Sequence, residues 1–169
     1  MKPKDPKRQL RGAINKAKGK NFEQYVDRSF DYYAMKGLAI VDKTPEPMQI
    51  VKPLGGGKFV AFFAKHAQPD YKGTIRGGKT VVMEAKYTTT DRLEQGRVKE
   101  GQADYLTRHQ QLGALCYVIA GFGSGAVYRI PWDVWKNMKE LFGRRYVREE
   151  DLQEYRVTAG GNGLLRLLD

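Results

Sequence analysis

The hydrophobic positions change their spacing along the chain, and each change marks a predicted element. From residue 19 to residue 36 the apolar side chains recur at steps of three and four, which predicts an amphipathic helix ending near Gly37. Apolar runs at residues 38–41, 115–122 and 126–130 have the length of buried strands. Further helices are predicted at 103–112, from Pro131 to about Leu141, and at 149–155. This order predicts an α/β fold, a mixed central β-sheet flanked by helices.

Two extended segments between these elements, residues 48–52 and 58–64, have a different character. Pro45, Pro47 and Pro53 flank the first segment, and Gly55-Gly56-Gly57 separates the two. Since proline and glycine weaken central strands, the pattern predicts a β-ribbon that projects from the body and turns at a glycine tip. We call residues 45–67 the stalk. The polar stretch at 88–99 carries charges of both signs and is expected to be mobile.

Residues 70–86 predict a β-hairpin about Gly77-Gly78, and its face pattern singles out two polar side chains. Successive side chains of a strand point to opposite faces, so Glu84 and Lys86 share a face with Val82. The other face is wholly apolar and is expected to meet a core. It carries Val81, Met83 and Ala85.

The length of the turn decides whether Asp70 joins the polar face. A two-residue turn at Gly77-Gly78 would place Asp70 opposite Ala85, on the apolar side. A three-residue loop that also includes Arg76 would place Asp70 opposite Glu84. Because a polar pair beside a core needs a partner, we predict the longer loop or an equivalent bulge.

The hairpin carries the residue types that a phosphodiester-cleaving site needs. These are Asp70 and, after a gap of thirteen residues, Glu84-Ala85-Lys86. Paired carboxylates are hard oxygen ligands that suit Mg²⁺, and such an ion polarises a phosphate and generates hydroxide near neutral pH. A nearby lysine can stabilise the charge that develops in the transition state. This pattern also arises by chance, so the motif alone leaves open a surface hairpin with an ordinary Glu–Lys pair.

The charge of the chain favours a nucleic acid as its partner. The chain has 30 Lys and Arg residues and 19 Asp and Glu residues, which gives a formal net charge of +11 and an isoelectric point near 9.7. A polyanion is therefore expected, nucleic acid before membrane surface, although a chain can be basic without such a partner.

The first twenty residues are strongly basic, with Arg8 and Arg11 among their cations and Asp5 as their one acid. Pro3 and Pro6 disfavour an early helix. Residues 1–18 are therefore predicted to be a flexible basic arm that reaches for phosphates, and residues 19–169 to be the nuclease domain.

Cysteine usage and hydropathy exclude several classes of protein. Cys116 is the only cysteine, which excludes a disulfide framework and a zinc site made of thiolates. It lies in an apolar run and is expected to be buried. No apolar run approaches the roughly 20 residues of a membrane span, and the N-terminus lacks an apolar signal core. We therefore expect a cytoplasmic protein with no membrane partner.

The arrangement Asp70…Glu84-Ala85-Lys86 resembles the motif of the PD-(D/E)xK nuclease superfamily. From about Lys18 to Leu168 the chain is similar to one branch of it, the RecU-type Holliday-junction resolvases of Gram-positive bacteria and their phages. The similar segments follow in the family's order: Lys18-Gly19-Lys20-Asn21-Phe22-Glu23, Gly37-Leu38-Ala39-Ile40-Val41, Lys43-Thr44-Pro45-Glu46-Pro47-Met48-Gln49-Ile50-Val51-Lys52, Asp70-Tyr71-Lys72-Gly73, Glu100-Gly101-Gln102 and Arg148-Glu149-Glu150-Asp151-Leu152.

The resemblance implies a restriction-endonuclease-like fold and assigns roles at the site. By position, a metal ion, Mg²⁺ with Mn²⁺ as the alternative, would be held by Asp70, Glu84 and Gln102. Lys86 would stabilise the transition state. Gln110, which follows His109, is the alternative to Gln102 for the family's glutamine.

Two further positions follow from the same resemblance. Glu23 would belong to the outer shell of the site, but it can equally be a helix N-terminal acid that faces the dipole. The family commonly has a threonine two residues before the aspartate. This chain has Gln68 there, so that contact is expected to differ.

The resemblance also implies a homodimer that resolves four-way DNA junctions, because paired symmetric nicks on opposed strands need two sites related by a two-fold axis. The stalk would enter the junction centre, where Lys52, Lys58 and Lys65 follow the backbone. Its phenylalanines either stack on open bases or pack within the ribbon or the dimer.

Two other functions are compatible with the residues. One is a nuclease of the same superfamily that acts on other branched or linear duplex DNA, and the other is a non-catalytic junction-binding recombination protein. The short chain and arm favour a phage-encoded member, working in the cytoplasm of its host, over a bacterial one.

Overall fold

A computed structural model describes residues 6–45, 47–63 and 68–169, with the backbone alone for residues 6–16 and 63. The strands are β1 (Ala39–Lys43), β2 (Met48–Gly55), β3 (Lys58–Phe63), β4 (Tyr71–Ile75), β5 (Lys79–Thr88), β6 (Arg92–Glu94), β7 (Leu115–Phe122), β8 (Val127–Pro131) and β9 (Tyr146–Arg148). The helices are α1 (Pro6–Met35), α2 (Glu100–Gln111), α3 (Trp132–Lys136) and α4 (Met138–Phe142), with 3₁₀ segments at Gln95–Arg97 and Glu149–Tyr155. Within these described ranges, no helix has the length and apolar character needed to cross a membrane.

A five-stranded sheet in the order β1-β4-β5-β7-β8 forms the centre of the fold. The pairing of β5 with β7 is parallel, whereas β1 with β4, β4 with β5 and β7 with β8 are antiparallel. Helix α1 packs on one face, and α2 and α3 pack on the other. The predicted α/β fold, a mixed central sheet flanked by helices, is therefore confirmed.

Strand β5 contributes to two separate cores because its side chains alternate between the faces of the sheet. Val81, Met83 and Ala85 pack with α1, as predicted for the apolar face. Val82 belongs to the second core, which includes Leu106 of α2. Each large apolar side chain buried in this way contributes about 1.5–3 kcal/mol.

Helix α1 is longer than the sequence pattern predicts. It begins at Pro6, so the predicted start at residue 19 is wrong. Proline is compatible with the first turn of a helix, where its missing N–H has no intrahelical acceptor. The predicted arm is therefore helical from Pro6 onward, and residues 1–5 lie outside the described part. The helix ends as predicted, with Gly37 in the left-handed region at φ 61°.

The stalk strands pair as predicted and form a ribbon of their own. β2 and β3 make a separate two-stranded antiparallel sheet, and every residue of β2 is exposed. Gly55, Gly56 and Gly57 at its tip all have positive φ, a backbone region that favours glycine. Residues 46 and 64–67 of the predicted stalk lie outside the described residues.

The polar stretch at 88–99 is ordered, against expectation. β6 pairs with β9, and Leu93 and Val98 are buried in the second core. These two side chains anchor a segment whose other residues are largely polar. Cys116 is buried, as predicted.

We expect Gly73→Ala to destabilise the fold, because β1 lies too close to β4 for any side chain at this position. A Cβ on Gly73 would come within 2.0 Å of the Ile40 carbonyl oxygen and 2.5 Å of the Val41 Cα. Crowding of this kind costs about 1–3 kcal/mol. In thermal unfolding, each kcal/mol should lower the midpoint by about 2–4 °C.

The matched control is Gly19→Ala in α1, where no atom lies within 4 Å of the added Cβ. Alanine favours helix there by about 1 kcal/mol, so this variant should be at least as stable as the wild type. Equal unfolding temperatures for the wild type and Gly73→Ala would contradict the close approach of β1.

Candidate active site

The hairpin of β4 and β5 has the register that the longer turn requires. Tyr71 pairs with Met83 and Ile75 with Lys79, so Arg76-Gly77-Gly78 forms a three-residue loop. Gly77 and Gly78 have φ of 92° and 84°, which side chains other than glycine rarely adopt. Continued by one residue beyond Tyr71, this register sets Asp70 opposite Glu84. The predicted loop is confirmed.

Asp70 and Glu84 are locked together by reciprocal bonds between backbone and side chain. The backbone N–H of Asp70 donates to Glu84 Oε2 at 3.1 Å. The backbone N–H of Ala85 donates to Asp70 Oδ2 at 2.8 Å. Each carboxylate is thus held by the opposite strand, and their relative position is set by the sheet.

Lys86 and Gln102 converge on Glu84 from two elements. Lys86 Nζ donates to Glu84 Oε1 and, at 3.2 Å, to the carbonyl oxygen of Ala85. Gln102, buried on α2, donates through Nε2 to Glu84 Oε1 at 2.6 Å. The parallel pairing of β7 next to β5 sets α2 over this face of the sheet.

The amide orientation of Gln102 follows from a second bond. Its Oε1 accepts from the backbone N–H of Lys99 at 3.0 Å, the N-terminal capping interaction of α2. Gln102 therefore presents its nitrogen to Glu84, and the metal-ligand role stays a prediction. Gln110 bonds Asp133 and Lys136 of α3, so the structure brings Gln102 and not Gln110 to the carboxylates.

Burial raises the pKa of both carboxyl groups. Burial, together with the charge of Asp70 and against the opposing charge of Lys86, raises the pKa of Glu84 to about 7. Burial likewise raises the pKa of Asp70, against the lowering effects of Lys86 and the Ala85 N–H. A cation placed between these oxygens would offset the repulsion that Asp70 exerts on Glu84.

The donor set fits a hard divalent ion that keeps part of its water shell. Asp70 and Glu84 supply carboxylate oxygens, and across residues 6–45, 47–63 and 68–169 no cluster of three or more His, Cys, Asp or Glu forms a fuller cage. Mg²⁺ is commonly bound by one or two carboxylates together with waters and substrate phosphates, so two carboxylates suffice.

Glu23 lies in the middle of α1, so its interpretation as a helix N-terminal acid is wrong. Its carboxylate pairs with Lys43 at 2.6 Å. Burial alone would lower the pKa of Lys43, but the bond and charge of Glu23 outweigh it and raise that pKa. Glu23 also raises the pKa of Asp70, which places it within electrostatic reach of the site. Its outer-shell role stays a prediction.

Gln68 is engaged away from the carboxylates. Its Oε1 accepts from Lys72 Nζ at 2.9 Å, and the same ammonium lies 5.6 Å from the centre of the Tyr105 ring. His109 stacks on Tyr105 with 4.4 Å between ring centroids. Gln68, at the position where a threonine was expected from the resemblance, therefore contacts Lys72 and not the carboxylates.

An open groove of about 1020 Å³ runs beside Lys86. Its lining includes Lys20 and Glu23 of α1, and Arg92 and Arg97 from the ordered polar stretch. These two arginines are not among the predicted DNA-binding residues, because their segment was expected to be mobile. The apolar residues Leu93 and Val98 in this segment were the sequence feature that could have indicated an ordered structure.

The predicted DNA-binding residues are only partly visible. Lys52 and Lys58 are exposed on β2 and β3. Lys65 lies outside the described residues. Arg8 and Arg11 belong to the α1 backbone, but their side chains are not described. Phe59 and Phe62 of β3 are exposed in the single chain, so neither is packed in its core.

We expect Asp70→Asn to stabilise the metal-free protein at neutral pH. Asparagine can still accept from the Ala85 N–H but removes the charge that repels Glu84. With the folded-state pKa of Glu84 near 7 and its ordinary value 4.5, the folded wild type loses stability as pH rises through this window. The gain of the variant should be absent near pH 4 and about 1 kcal/mol at pH 7.5, measured by urea unfolding in EDTA.

Asp104→Asn is the matched control, since Asp104 lies exposed on α2 in a loose pair with Arg108. It should change stability little at either pH. A wild type that is more stable than Asp70→Asn at pH 7.5 would show that the two carboxylates do not repel one another.

Comparison with known proteins identifies sequences similar to this chain. A family model described as Recombination protein U matches residues 17–168. The Holliday junction resolvase RecU of Bacillus pumilus is 30% identical over 148 residues, which cover 81% of this chain and 70% of that protein. The protein of the same name from Streptococcus pneumoniae strain Taiwan19F-14 is 29% identical over 156 residues, 85% of this chain and 77% of that one.

Other matches are shorter or more distant. RecU of Streptococcus gordonii is 31% identical over 113 residues, 63% of this chain and 56% of that protein. Among solved structures, Hjc, a Holliday junction resolvase from Archaeoglobus fulgidus, matches with a TM-score of 0.47 and 16% identity, over 81% of this chain and 88% of that chain. The family model covers nearly the whole sequence, so the resemblance drawn from the motifs is confirmed and the chain belongs to the Recombination protein U family.

Proposed function

We propose that this protein is a divalent-metal-dependent endonuclease that resolves four-way DNA junctions by paired symmetric nicks. The observation that carries the proposal is the facing pair Asp70 and Glu84, with Lys86 hydrogen-bonded to Glu84. Lys86 lies at the border of a groove lined by further basic side chains. The curated relatives are named Holliday junction resolvases, which supports the choice of substrate.

Asp70 and Glu84 are the residues that would hold the ion, Mg²⁺ or Mn²⁺, through their carboxylate oxygens. When bound, the ion would polarise the scissile phosphate and supply hydroxide near neutral pH. Gln102 orients Glu84 by a bond that α2 itself fixes, so the carboxylate does not depend on the ion for its position.

Lys86 supplies the positive charge on the side of the groove. Its ammonium is held by Glu84 and the Ala85 carbonyl, with 15% of the side chain exposed. A charge fixed in advance at this point stabilises negative charge as it develops on the phosphate. The groove beside it, with Lys20, Arg92 and Arg97, provides a path for the backbone of the cut strand.

A homodimer fits the symmetry of the substrate. A four-way junction has two opposed strands to cut, and a two-fold pair of chains presents two equivalent sites. The exposed ribbon with Lys52 and Lys58 is the element suited to the open centre of the junction. The proposed setting is the cytoplasm of a bacterium, either the protein's own or that of the host if a phage encodes it.

Asp70→Asn and Lys86→Met should each abolish strand cleavage while keeping junction binding. The first removes a metal ligand and the second the charge that stabilises the transition state, so cleavage should fall by more than about 100-fold. The measurement uses a mobile four-way junction, a replication fork and a linear duplex, each with Mg²⁺ or EDTA. Binding is followed by gel shift in the same buffers.

Asp104→Asn, on the exposed face of α2, should cleave like the wild type. Paired nicks confined to the junction support the proposal. Cutting of linear duplex would point instead to a nuclease of broader substrate range, and tight binding without cleavage under any metal would leave a non-catalytic junction-binding protein.

Lys52→Ala and Lys58→Ala should weaken junction binding by removing phosphate contacts of the stalk. Each should reduce the slope of log K against log salt by about 1, because one fewer counterion is released. Cleavage of fully bound junction should not change, since the carboxylates are untouched. Lys139→Ala on α4, an element packed against β9 and α3, is the control and should leave the slope as it is.

A further inference from the structure

Thr44 carries a buried hydroxyl that the fold leaves unsatisfied. In the part of the chain that the structure describes, Thr44 Oγ1 is buried and has no hydrogen-bond partner. Buried polar groups are nearly always hydrogen-bonded, because an unpaired one has lost its hydrogen bonds to water and gained none in the protein. In native structures such an exception commonly marks a place where water, an ion or a functional contact completes the hydrogen bonding.

The register of β1 and β4 sets Thr44 beside Asp70. Lys43 pairs with Tyr71, and the backbone N–H of Thr44 donates to the Asp70 carbonyl oxygen at 2.8 Å, which extends the ladder by one step. Directly opposite residues of an antiparallel pair project on the same face, with Cβ atoms about 4.5–5.5 Å apart.

The neighbouring side chains show which face this is. Lys43 and Tyr71 both turn toward α1, where they contact Glu23 and Asp27. Because side chains alternate along a strand, Thr44 and Asp70 lie on the opposite face, that of Glu84 and α2. Asp70 is thus flanked by Glu84 on β5 and by Thr44 just beyond β1.

Nearby polar side chains are already committed elsewhere. Lys43 is paired with Glu23 at 2.6 Å, and the oxygen of Gln68 accepts from Lys72 at 2.9 Å. Lys86 and Gln102 are both bonded to Glu84. None of these four contacts uses the Thr44 hydroxyl, which is therefore available to an incoming group.

We propose that Thr44 is a positioning residue for the divalent ion, and that its hydroxyl accepts a hydrogen bond from a water of the hydration shell of that ion. Two carboxylates leave most of the octahedral shell of Mg²⁺ to water, and those waters need acceptors. Groups that act through such contacts commonly change metal affinity by about 10–100-fold. The inference rests on the proposed function, since it takes Asp70 and Glu84 as the ligands.

The test compares Thr44→Val with Thr44→Ser by titration calorimetry with Mg²⁺ and with Mn²⁺, in the absence of DNA. Valine matches threonine in shape but lacks the hydroxyl. It should weaken metal binding at least about 10-fold and, by removing an unsatisfied polar atom, raise the unfolding midpoint of the EDTA-treated protein by about 2–4 °C. Serine should retain the wild-type affinity within about threefold.

Thr74→Val is the matched control, because Thr74 lies exposed on β4, four residues from Asp70 along the same face. It should leave metal affinity unchanged. Wild-type affinity in Thr44→Val would overturn the proposal, as would a lower unfolding midpoint for that variant in EDTA or a failure of serine to retain binding.

Asp70→Asn distinguishes a failure of the metal site from a failure of the role of Thr44. If the wild type binds no ion, or binds one that Asp70→Asn does not weaken, the proposed metal site itself fails and Thr44 loses its role with it. If Asp70→Asn removes binding and Thr44→Val does not, the metal site stands and only the role of Thr44 is refuted.

Discussion

The register of one hairpin is the constraint on which the rest of the site depends. The three-residue loop Arg76-Gly77-Gly78 sets Asp70 opposite Glu84 on one face of the sheet. A turn shorter by one residue would move Asp70 to the opposite face, where α1 packs on Met83, and would bury its charge in an apolar core. Hence the glycines of a remote turn decide whether two carboxylates meet.

Placing two carboxylates together has an electrostatic cost, and neighbouring side chains reduce it. Glu84 lies at the centre of a sheet covered on both faces, so burial raises its pKa to about 7. Lys86 offsets part of this effect, and Gln102 donates a hydrogen bond from α2. Clustered charge of this kind commonly lowers the stability of a fold in exchange for function.

The basic side chains near the carboxylates and the exposed residues of the stalk differ in their contacts. Close to the site, Lys43 is paired with Glu23 and Lys72 donates to Gln68. Farther out, β2 of the stalk is exposed along its whole length, and Phe59 and Phe62 of β3 are also exposed. The exposed ribbon is therefore suited to contacts made with another molecule.

What the sequence by itself determined is local in origin. Periodicity identified the strands and the two faces of β5, and the need of a polar residue for a partner selected the longer hairpin loop. Only the tertiary structure decided that Gln102 and not Gln110 reaches Glu84, that Glu23 pairs with Lys43, and that Thr44 lies beside Asp70. These contacts join elements far apart in the chain, and a residue's own neighbours in sequence carry no record of which distant surface will pack against it.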